Sequence, residues 1–279
     1  MPLAREIGLL KDAQKNHYAV AAFNVFNLES ISWIIKAAEA EDAPVIAMLY
    51  PACKTHIPVS TFSRIAKDLA EKSRAPVAVH YDHSSSFEEI MSGIADGFPS
   101  VMIDGSSLPF EENAGLTREV VRAAHPMGVD VEAELGRVGQ ASNAGDFTDA
   151  SLYTDPKSAE EFVERTGVDS LAVAIGSAHG NYVAVPRLDM ERLEEIRKAV
   201  SVPLVLHGGS GIPEDQIKAA VKHGITKLNI GTEFGQEFYH KQKAIMVENR
   251  CRETILACLG VLEKEMVGYV RARIRLLQA

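Results

Sequence analysis

Three observations predict that this chain folds as a (β/α)8 barrel, also called a TIM barrel. Short apolar runs that favour strands alternate along the chain with amphipathic segments that favour helices. Eight such units fit into 279 residues, which is close to the usual length of this fold. Residues able to carry chemistry follow the ends of most of these runs, where barrel proteins have their active sites.

The strands are predicted from runs of β-branched and small apolar residues. They are Ala19–Val25, Pro44–Leu49, Pro76–His80, Ser100–Ile103, Asp130–Glu134, Ser170–Ile175, Leu204–Leu206 and Lys227–Ile230. Helices are predicted around Ile31 and Ile65 and at Ser86–Ala95, Glu111–Ala124, Ser158–Arg165, Met190–Val200 and Glu214–His223. The tail from Phe234 predicts the eighth helix plus one or two extra helices that close the barrel bottom or join a partner. A doubly wound open sheet explains eight strands less well, so we expect one domain over residues 1–279.

The composition limits which binding partners and which cellular compartment we expect for this protein. The chain has 38 acidic and 29 basic residues, a formal net charge of −9 and no basic tract, so we expect no nucleic-acid partner. No apolar run approaches the ~20 residues of a membrane span, and we expect no membrane partner. The three cysteines form no CxxC pair, and their odd number argues against a disulfide framework. The cytoplasm is the simplest compartment.

Three histidines stand just past predicted strands. They are His83 in PVAVHYDH, His179 in SLAVAIGSAH and His207 in PLVLH. Strand ends of a barrel converge, and three His ligands with one open position are typical of catalytic zinc. One histidine after a strand is more often a hydrogen-bonded structural residue, but three of them favour shared ligation. Asp82 precedes His83, where a carboxyl group could exchange a proton with a substrate; a strand-end cap or salt bridge is the alternative.

Two glycine-containing loops predict an anion site. They follow the seventh and eighth strands and comprise Gly208, Gly209, Ser210 and Gly211, and Asn229, Ile230, Gly231 and Thr232. Barrels commonly bind phosphate here, because glycine lets the backbone approach an anion and the following helix presents free N–H groups. Either loop alone could be an ordinary turn, whereas the two together favour phosphate binding.

Acidic residues accompany the histidines. Glu132 and Glu134 are two apart and share one face of the fifth strand, and Asp104 follows the fourth strand. Acids inside a barrel are costly unless they are paired or bound to metal. They could hold a second metal position or orient a ligand histidine. A structural ion pair is the alternative, and it is favoured most for Glu132.

Seven motifs occur in a fixed order: HYDHSSSF, SVMIDGSSLPF, VDVEAELG, YTDP, DSLAVAIGSAHGNY, LVLHGGSGI and KLNIGTEF. Together they resemble the class II metal-dependent ketose-bisphosphate aldolases, most closely the tagatose-bisphosphate and fructose-bisphosphate branch. The resemblance runs from about AAFNVFNLES to the eighth helix, which is nearly the whole chain.

The resemblance implies a TIM barrel with Zn²⁺, and often a monovalent cation such as Na⁺ or K⁺. It implies reversible cleavage of a ketose 1,6-bisphosphate to dihydroxyacetone phosphate and glyceraldehyde 3-phosphate. It implies zinc ligation by the three histidines, a second metal position at Asp104 and Glu134, and transfer of the C4-hydroxyl proton by Asp82. The expected substrate contacts are Asn24, Gly180, Gly208, Gly209, Ser210, Asn229, Ile230, Gly231 and Thr232. We also expect a homo-oligomer, either a dimer or a tetramer.

Two stretches depart from the family pattern. The family follows ELG with a Glu-Asp pair, whereas this chain reads ELGRVGQASNAGDF, with Ala141 and Ser142 at those positions. After the second strand, Tyr50, Pro51, Ala52 and Cys53 replace a small hydroxyl residue and glycine, which would reshape the pocket. The loop over residues 136–155 contains small polar residues and little to bury, and it is expected to be a mobile lid.

These departures leave alternatives open. An aldolase for another phosphorylated keto sugar is one. A metal-dependent sugar-phosphate isomerase or epimerase on the same barrel is another, although the intact DH, AHG and HGGSG sequences favour an aldolase. A non-catalytic sugar-phosphate sensor is the third, and retention of every metal ligand argues against it.

Overall fold

The computed structural model describes residues 3–250 and 254–278, and its centre is a closed barrel of eight parallel strands. The strands are β1 Val20–Asn24, β2 Val45–Leu49, β3 Val77–Ser84, β4 Ser100–Ile103, β5 Asp130–Leu135, β6 Ser170–Val173, β7 Leu204–Leu206 and β8 Ile225–Ile230. Each strand pairs with the next along the chain, and β8 pairs with β1. The predicted barrel is confirmed.

Eleven α-helices lie within the described ranges. They are α1 Glu6–Asn16, α2 Leu28–Glu41, α3 Val59–Lys72, α4 Phe87–Ala95, α5 Phe110–Ala124, α6 Gly145–Thr148, α7 Pro156–Thr166, α8 Met190–Ala199, α9 Glu214–Lys222, α10 Thr232–Val247 and α11 Ile255–Leu277. Helices α2 to α5 and α7 to α10 each follow one strand, and α6 is a single turn between β5 and α7. The predicted tail is therefore confirmed as the eighth helix, α10, plus one extra helix, α11.

Helix α1 closes the N-terminal end of the barrel, although no helix is predicted from the sequence before β1. Its Leu10 and Ala13 are fully buried and pack against inward-facing side chains such as Ile46 and Met48. The bottom is thus covered by α1 and not by a C-terminal helix, because α11 packs outside the barrel against α2, α9 and α10.

The barrel interior holds both apolar and ionisable side chains. Small and aliphatic side chains pack inside it from β1, β2, β3, β6 and β7. Buried ionisable side chains lie on β3, β5 and β8 and just after β7: His80, Glu132, Lys227 and His207. Barrel interiors usually hold bulky branched side chains, so these buried ionisable groups point to a site for chemistry.

Two features bear on the compartment. Within the two described ranges, no helix combines the length and hydropathy needed to cross a bilayer. Cys53 is a free thiol and Cys258 is disulfide-bonded, so cysteine usage no longer argues for a reducing compartment. A cytoplasmic location stays a prediction.

Phe62 provides a test of the packing outside the barrel. It is fully buried on α3 and stacks on Phe98, with ring centroids 5.9 Å apart. We expect Phe62→Ala to lower the free energy of unfolding by about 3–5 kcal/mol, because the cavity left behind cannot close fully. Urea denaturation measures this loss. Tyr239→Ala, at an exposed aromatic side chain on α10, is the control and should change little; equal losses in the two variants would contradict the packing described.

Candidate active site

The end of β3 departs from regular strand geometry, and this brings two consecutive residues into one cavity. Adjacent residues of a strand point to opposite faces, yet Asp82 and His83 both line the same cavity. His83 has a φ of 40°, which non-glycine residues uncommonly adopt. The pairing of β3 with β4 also shifts register between Tyr81 and Ser84. The irregular backbone therefore turns both side chains toward the site.

The three histidines converge at the C-terminal end of the barrel. The ring of His83 lies 4.9 Å from that of His179 and 4.7 Å from that of His207, and one nitrogen of each lies within 4.8 Å of the others. His179 Nε2 and His207 Nδ1 are buried without a hydrogen-bond partner. Buried nitrogens are rarely left unpaired, and this arrangement fits a tetrahedral zinc ion with one open position.

The protonation of His179 suits that role. Burial, followed by the neighbouring imidazoles of His83 and His207, lowers the pKa of His179 to about 3. A histidine must be neutral to bind a metal ion. His179 is therefore neutral, and able to act as a ligand, in the folded protein near neutral pH.

His207 lies between two carboxylates. Its Nε2 is 2.9 Å from Glu132 Oε1, and its Nδ1 is 3.0 Å from Glu134 Oε2 without hydrogen-bond geometry. Burial favours the neutral form, but the hydrogen bond to Glu132 and the negative charges of Glu134 and Glu132 raise the pKa of His207 to about 10. A metal ion at Nδ1 would displace a proton. Nε2–H would then donate to Glu132, the arrangement that commonly orients a ligand imidazole.

Asp104 and Glu134 lie beside His83, as predicted for a second metal position. His83 Nδ1 is 3.0 Å from Asp104 Oδ2, and the three residues offer ligand atoms within 4.8 Å of one another. Burial would raise the pKa of Asp104, but His83 and the N–H and hydroxyl of Ser106 hold it well below its usual range. The site can thus present two carboxylates to a cation.

Asp82 is buried and held by two amides. Asn24 Nδ2 donates to Oδ2 at 2.8 Å, and Asn229 Nδ2 donates to Oδ1 at 3.4 Å. Burial would raise the pKa of Asp82, but the nearby His83 and His207 bring it below its ordinary value. Asp82 is therefore a positioned carboxylate that can accept a proton in the cavity.

The predicted phosphate loops lie beside the histidines. Ser210 Oγ accepts from the backbone N–H of Glu233 at 3.0 Å, so the loop after β7 contacts the first turn of α10. Helix N-termini favour anions. Gly208 has a φ of 68°, and Tyr182 fixes its loop by donating to Gly208 O at 3.1 Å and accepting from Ala178 N–H at 2.7 Å.

One cavity of about 610 Å³ is lined by eleven of the fifteen predicted site residues. Gly209 and Ile230 do not line it: Ile230 lies in the hydrophobic core, and Gly209 N–H donates to Asn229 O at 3.1 Å. Glu134 and His207 are buried and do not line it either. The lining residues are Asn24, Phe26, Tyr50, Cys53, Asp82, His83, Asp104, Val138, Gln140, His179, Gly180, Gly208, Ser210, Asn229, Gly231, Thr232 and Gly235.

The loop over residues 136–155 is more firmly packed than the sequence suggests. Phe147 is buried against Ala141 and Ala178, so the expectation of little to bury is wrong. The loop also pairs with the backbone of His179, whose N–H donates to Gly139 O at 2.8 Å. Asp146 accepts from Gln140 N–H at 2.8 Å and from Asn143 Nδ2 at 2.8 Å. The loop therefore supports a ligand histidine, and Asp146 is engaged in holding its shape.

Three buried residues near the site are missed by sequence reasoning: Glu6, His80 and Lys227. The signal for Lys227 is its place inside the strand-forming run KLNI, where a lysine must find a buried partner. His80 follows PVAV in the same way, and Glu6 gives no signal because its burial depends on where α1 docks.

Residues 6–279 match the family model for class II fructose-bisphosphate aldolase. The chain belongs to this family. It is therefore a class II aldolase, a carbon–carbon lyase. It is 40% identical to the YdjI aldolase of Escherichia coli K12, covering 99% of this chain and 97% of that one, with a TM-score of 0.88.

Two further crystal structures are similar. A candidate fructose-1,6-bisphosphate aldolase from Coccidioides immitis is 32% identical, covers 98% of this chain and 96% of that one, and has a TM-score of 0.86. The fructose-bisphosphate aldolase Fba of Campylobacter jejuni is 24% identical, covers 97% and 93%, and has a TM-score of 0.83, which supports the shared fold.

Gly208 provides a test of the phosphate loop. A Cβ at this position would lie 2.3 Å from the backbone oxygen of Ala178, in addition to the strained φ. We expect Gly208→Ala to raise KM for a phosphorylated ketose on the order of tenfold or more, because such backbone strain costs about 1–3 kcal/mol. Gly115→Ala, on α5 with open space around it, is the control. An unchanged KM in Gly208→Ala would show that this loop does not shape the phosphate site.

Proposed function

We propose that this aldolase cleaves a ketose 1,6-bisphosphate of the fructose or tagatose type, reversibly, to dihydroxyacetone phosphate and glyceraldehyde 3-phosphate. The single observation that carries the proposal is the convergence of three histidines, Asp82 and the two predicted phosphate loops around one cavity at the C-terminal end of the barrel. A metal-dependent aldolase needs three things in one site: ligands for a Lewis-acid metal, a group that carries a proton, and a binding site for the substrate phosphate.

Substrate binding follows from the loops. The backbone N–H groups around Ser210 and Thr232, together with the N-terminus of α10, would anchor the phosphate of the dihydroxyacetone half. The anchor leaves the rest of the ketose lying across the histidines toward Asp104 and Tyr50, which line the same cavity. Gly180 lines this path without adding a side chain.

Asp82 would move the proton. In cleavage, its carboxylate takes the proton of the C4 hydroxyl while the C3–C4 bond breaks and the bonding electrons pass toward the C2 oxygen. A proton from solvent then adds at C3 to complete dihydroxyacetone phosphate, and condensation reverses both steps, with Asp82 returning its proton to the C4 oxygen. Asn24 and Asn229 hold both carboxylate oxygens, which orients Asp82 toward one side of the cavity. Both amides keep their places whichever protonation state Asp82 adopts, because an amide nitrogen donates to either form of the carboxyl group.

His83, His179 and His207 would hold the zinc ion, with Asp104 and Glu134 as the second position. When bound, zinc supplies positive charge that stabilises the oxygen charge developing as the C3–C4 bond breaks. No lysine Schiff base is then required. Lys227, the buried lysine nearest to this chemistry, is already paired with Glu132 and Glu6. A monovalent cation stays a prediction.

We also propose that the chain forms a dimer or a tetramer. Four large apolar side chains are exposed at the end of α10 and at the start of α11: Met246, Val247, Ile255 and Leu256. Exposed apolar surface commonly marks protein interfaces. Light scattering on the purified protein measures the mass directly, and a monomer at micromolar concentration would contradict the assembly.

Removal of metal should abolish activity. The three histidines offer nitrogen ligands for a metal ion that would act as the electrophile, so treatment with a chelator should stop the release of dihydroxyacetone phosphate from fructose or tagatose bisphosphate. Added zinc or cobalt should restore it. A coupled assay for dihydroxyacetone phosphate measures both steps. Full turnover by metal-free protein, or a lysine adduct trapped by borohydride, would refute the metal mechanism.

Asp82→Asn should lower kcat by on the order of 10²–10⁴, because the amide keeps the shape of the side chain but cannot accept the proton. Metal content, measured by atomic emission, should stay near that of the wild type. Asp149→Asn is the control, since Asp149 is an exposed helix-capping residue of the loop. Near-normal turnover of the Asp82 variant would remove this residue from the mechanism.

A further inference from the structure

A second cluster of ligand-type side chains lies inside the barrel, on the N-terminal side of the histidines. Glu6, His80 and Glu132 are all buried and offer ligand atoms within 4.8 Å of one another. Lys227 lies among them, with its Nζ 3.1 Å from Glu6 Oε1 and 2.8 Å from Glu132 Oε2. The ammonium group takes the place that a metal ion would need, so this cluster already contains its own cation.

The cluster connects α1 to the metal site by consecutive polar contacts. Glu6 comes from α1, Lys227 from β8 and Glu132 from β5. The second oxygen of Glu132 is 2.9 Å from His207 Nε2. Three contacts therefore lead from the N-terminal helix to one of the three histidines.

Each residue in this series of contacts depends on the next one for a partner. A buried carboxylate is costly unless it is paired and hydrogen-bonded. Glu132 meets that condition with Lys227 on Oε2 and His207 on Oε1. Lys227 donates to Oε2 and thereby holds Glu132 in the orientation in which Oε1 faces His207.

We infer that Lys227 and Glu6 are positioning residues for the metal site. They hold Glu132 so that it accepts the hydrogen bond from His207 Nε2–H, which leaves His207 Nδ1 free to face the cation. Nδ1 makes no hydrogen bond and lies 3.0 Å from Glu134 Oε2, so it faces the side on which the candidate second metal position lies. The inference rests on the proposed zinc site and adds that α1 is part of its support.

Asp130 offers a matched comparison. It lies on β5 two residues before Glu132, is also buried, and also ties α1 to the barrel. Its contacts run to Ile7 N–H at 3.1 Å and to the Arg5 guanidinium. Like Glu132, Asp130 lies on β5, is buried and is connected to α1. Its hydrogen bonds, however, lead only to α1 and not to His207.

The test is the zinc affinity of the full-length protein, measured by competition with a chromophoric chelator. We expect Glu6→Gln and Lys227→Met to weaken zinc binding about 10–100-fold, the usual effect of removing support from a ligand. Asp130→Asn should bind zinc as the wild type does. If Lys227→Met does not fold, Glu6→Gln decides, because it keeps the side-chain shape and removes one charge.

The outcomes separate the inference from the proposed function. Wild-type affinity in Glu6→Gln would overturn the inference, and so would an equal loss in Asp130→Asn, which would indicate general loosening of α1. A wild-type protein that binds no zinc would overturn the proposed metal site itself.

A second measurement reports on the hydrogen bond. In zinc-loaded wild type, the Nε2–H proton of His207 should give a protected low-field imidazole signal in proton NMR. We expect the signal to persist in Asp130→Asn and to be lost in Glu6→Gln. Its persistence in Glu6→Gln would overturn the positioning role.

Discussion

The structure depends on one constraint: charges enclosed in a barrel must be paired with one another. Glu132 is the centre of that pairing, with Lys227 on one oxygen and His207 on the other. The pairing holds the pKa of Glu132 down to about 2 in spite of burial, so it is a full negative charge at neutral pH. The buried charges of the interior can therefore exist only as a connected set, and the candidate metal ligand His207 lies at one end of that set.

The same constraint explains why the barrel bottom needs a helix. An open end would admit water to Lys227 and weaken its attraction to the carboxylates. Helix α1 supplies an apolar plug through Leu10 and Ala13 and a carboxylate through Glu6. The same eleven-residue helix therefore both closes the bottom of the barrel and supplies a partner for the charge of Lys227.

At the other end of the barrel, the chemistry depends on irregular backbone. The left-handed conformation of His83 allows Asp82, the proposed proton carrier, and the candidate ligand His83 to be neighbours in sequence and in the cavity. The loop after β5 pairs with the backbone of His179 and buries Phe147. Tyr50 lines the same cavity, with its ring 6.3 Å from that of His83. The candidate site is therefore shaped by loop residues as well as by the strand ends.

The barrel is predictable from the sequence, because strand-forming and helix-forming periodicities alternate along it eight times. The candidate ligands, Asp82 and the phosphate loops are predictable as well, because these residues directly follow strands whose ends meet in a barrel. The contacts of Glu6, His80 and Lys227 are visible only once the chain is folded. Their partners lie far away in the chain: Glu132 and Lys227 are 95 residues apart. Barrel closure and the docking of α1 decide which buried charges face each other. A local sequence pattern does not predict contacts between residues so far apart in the chain.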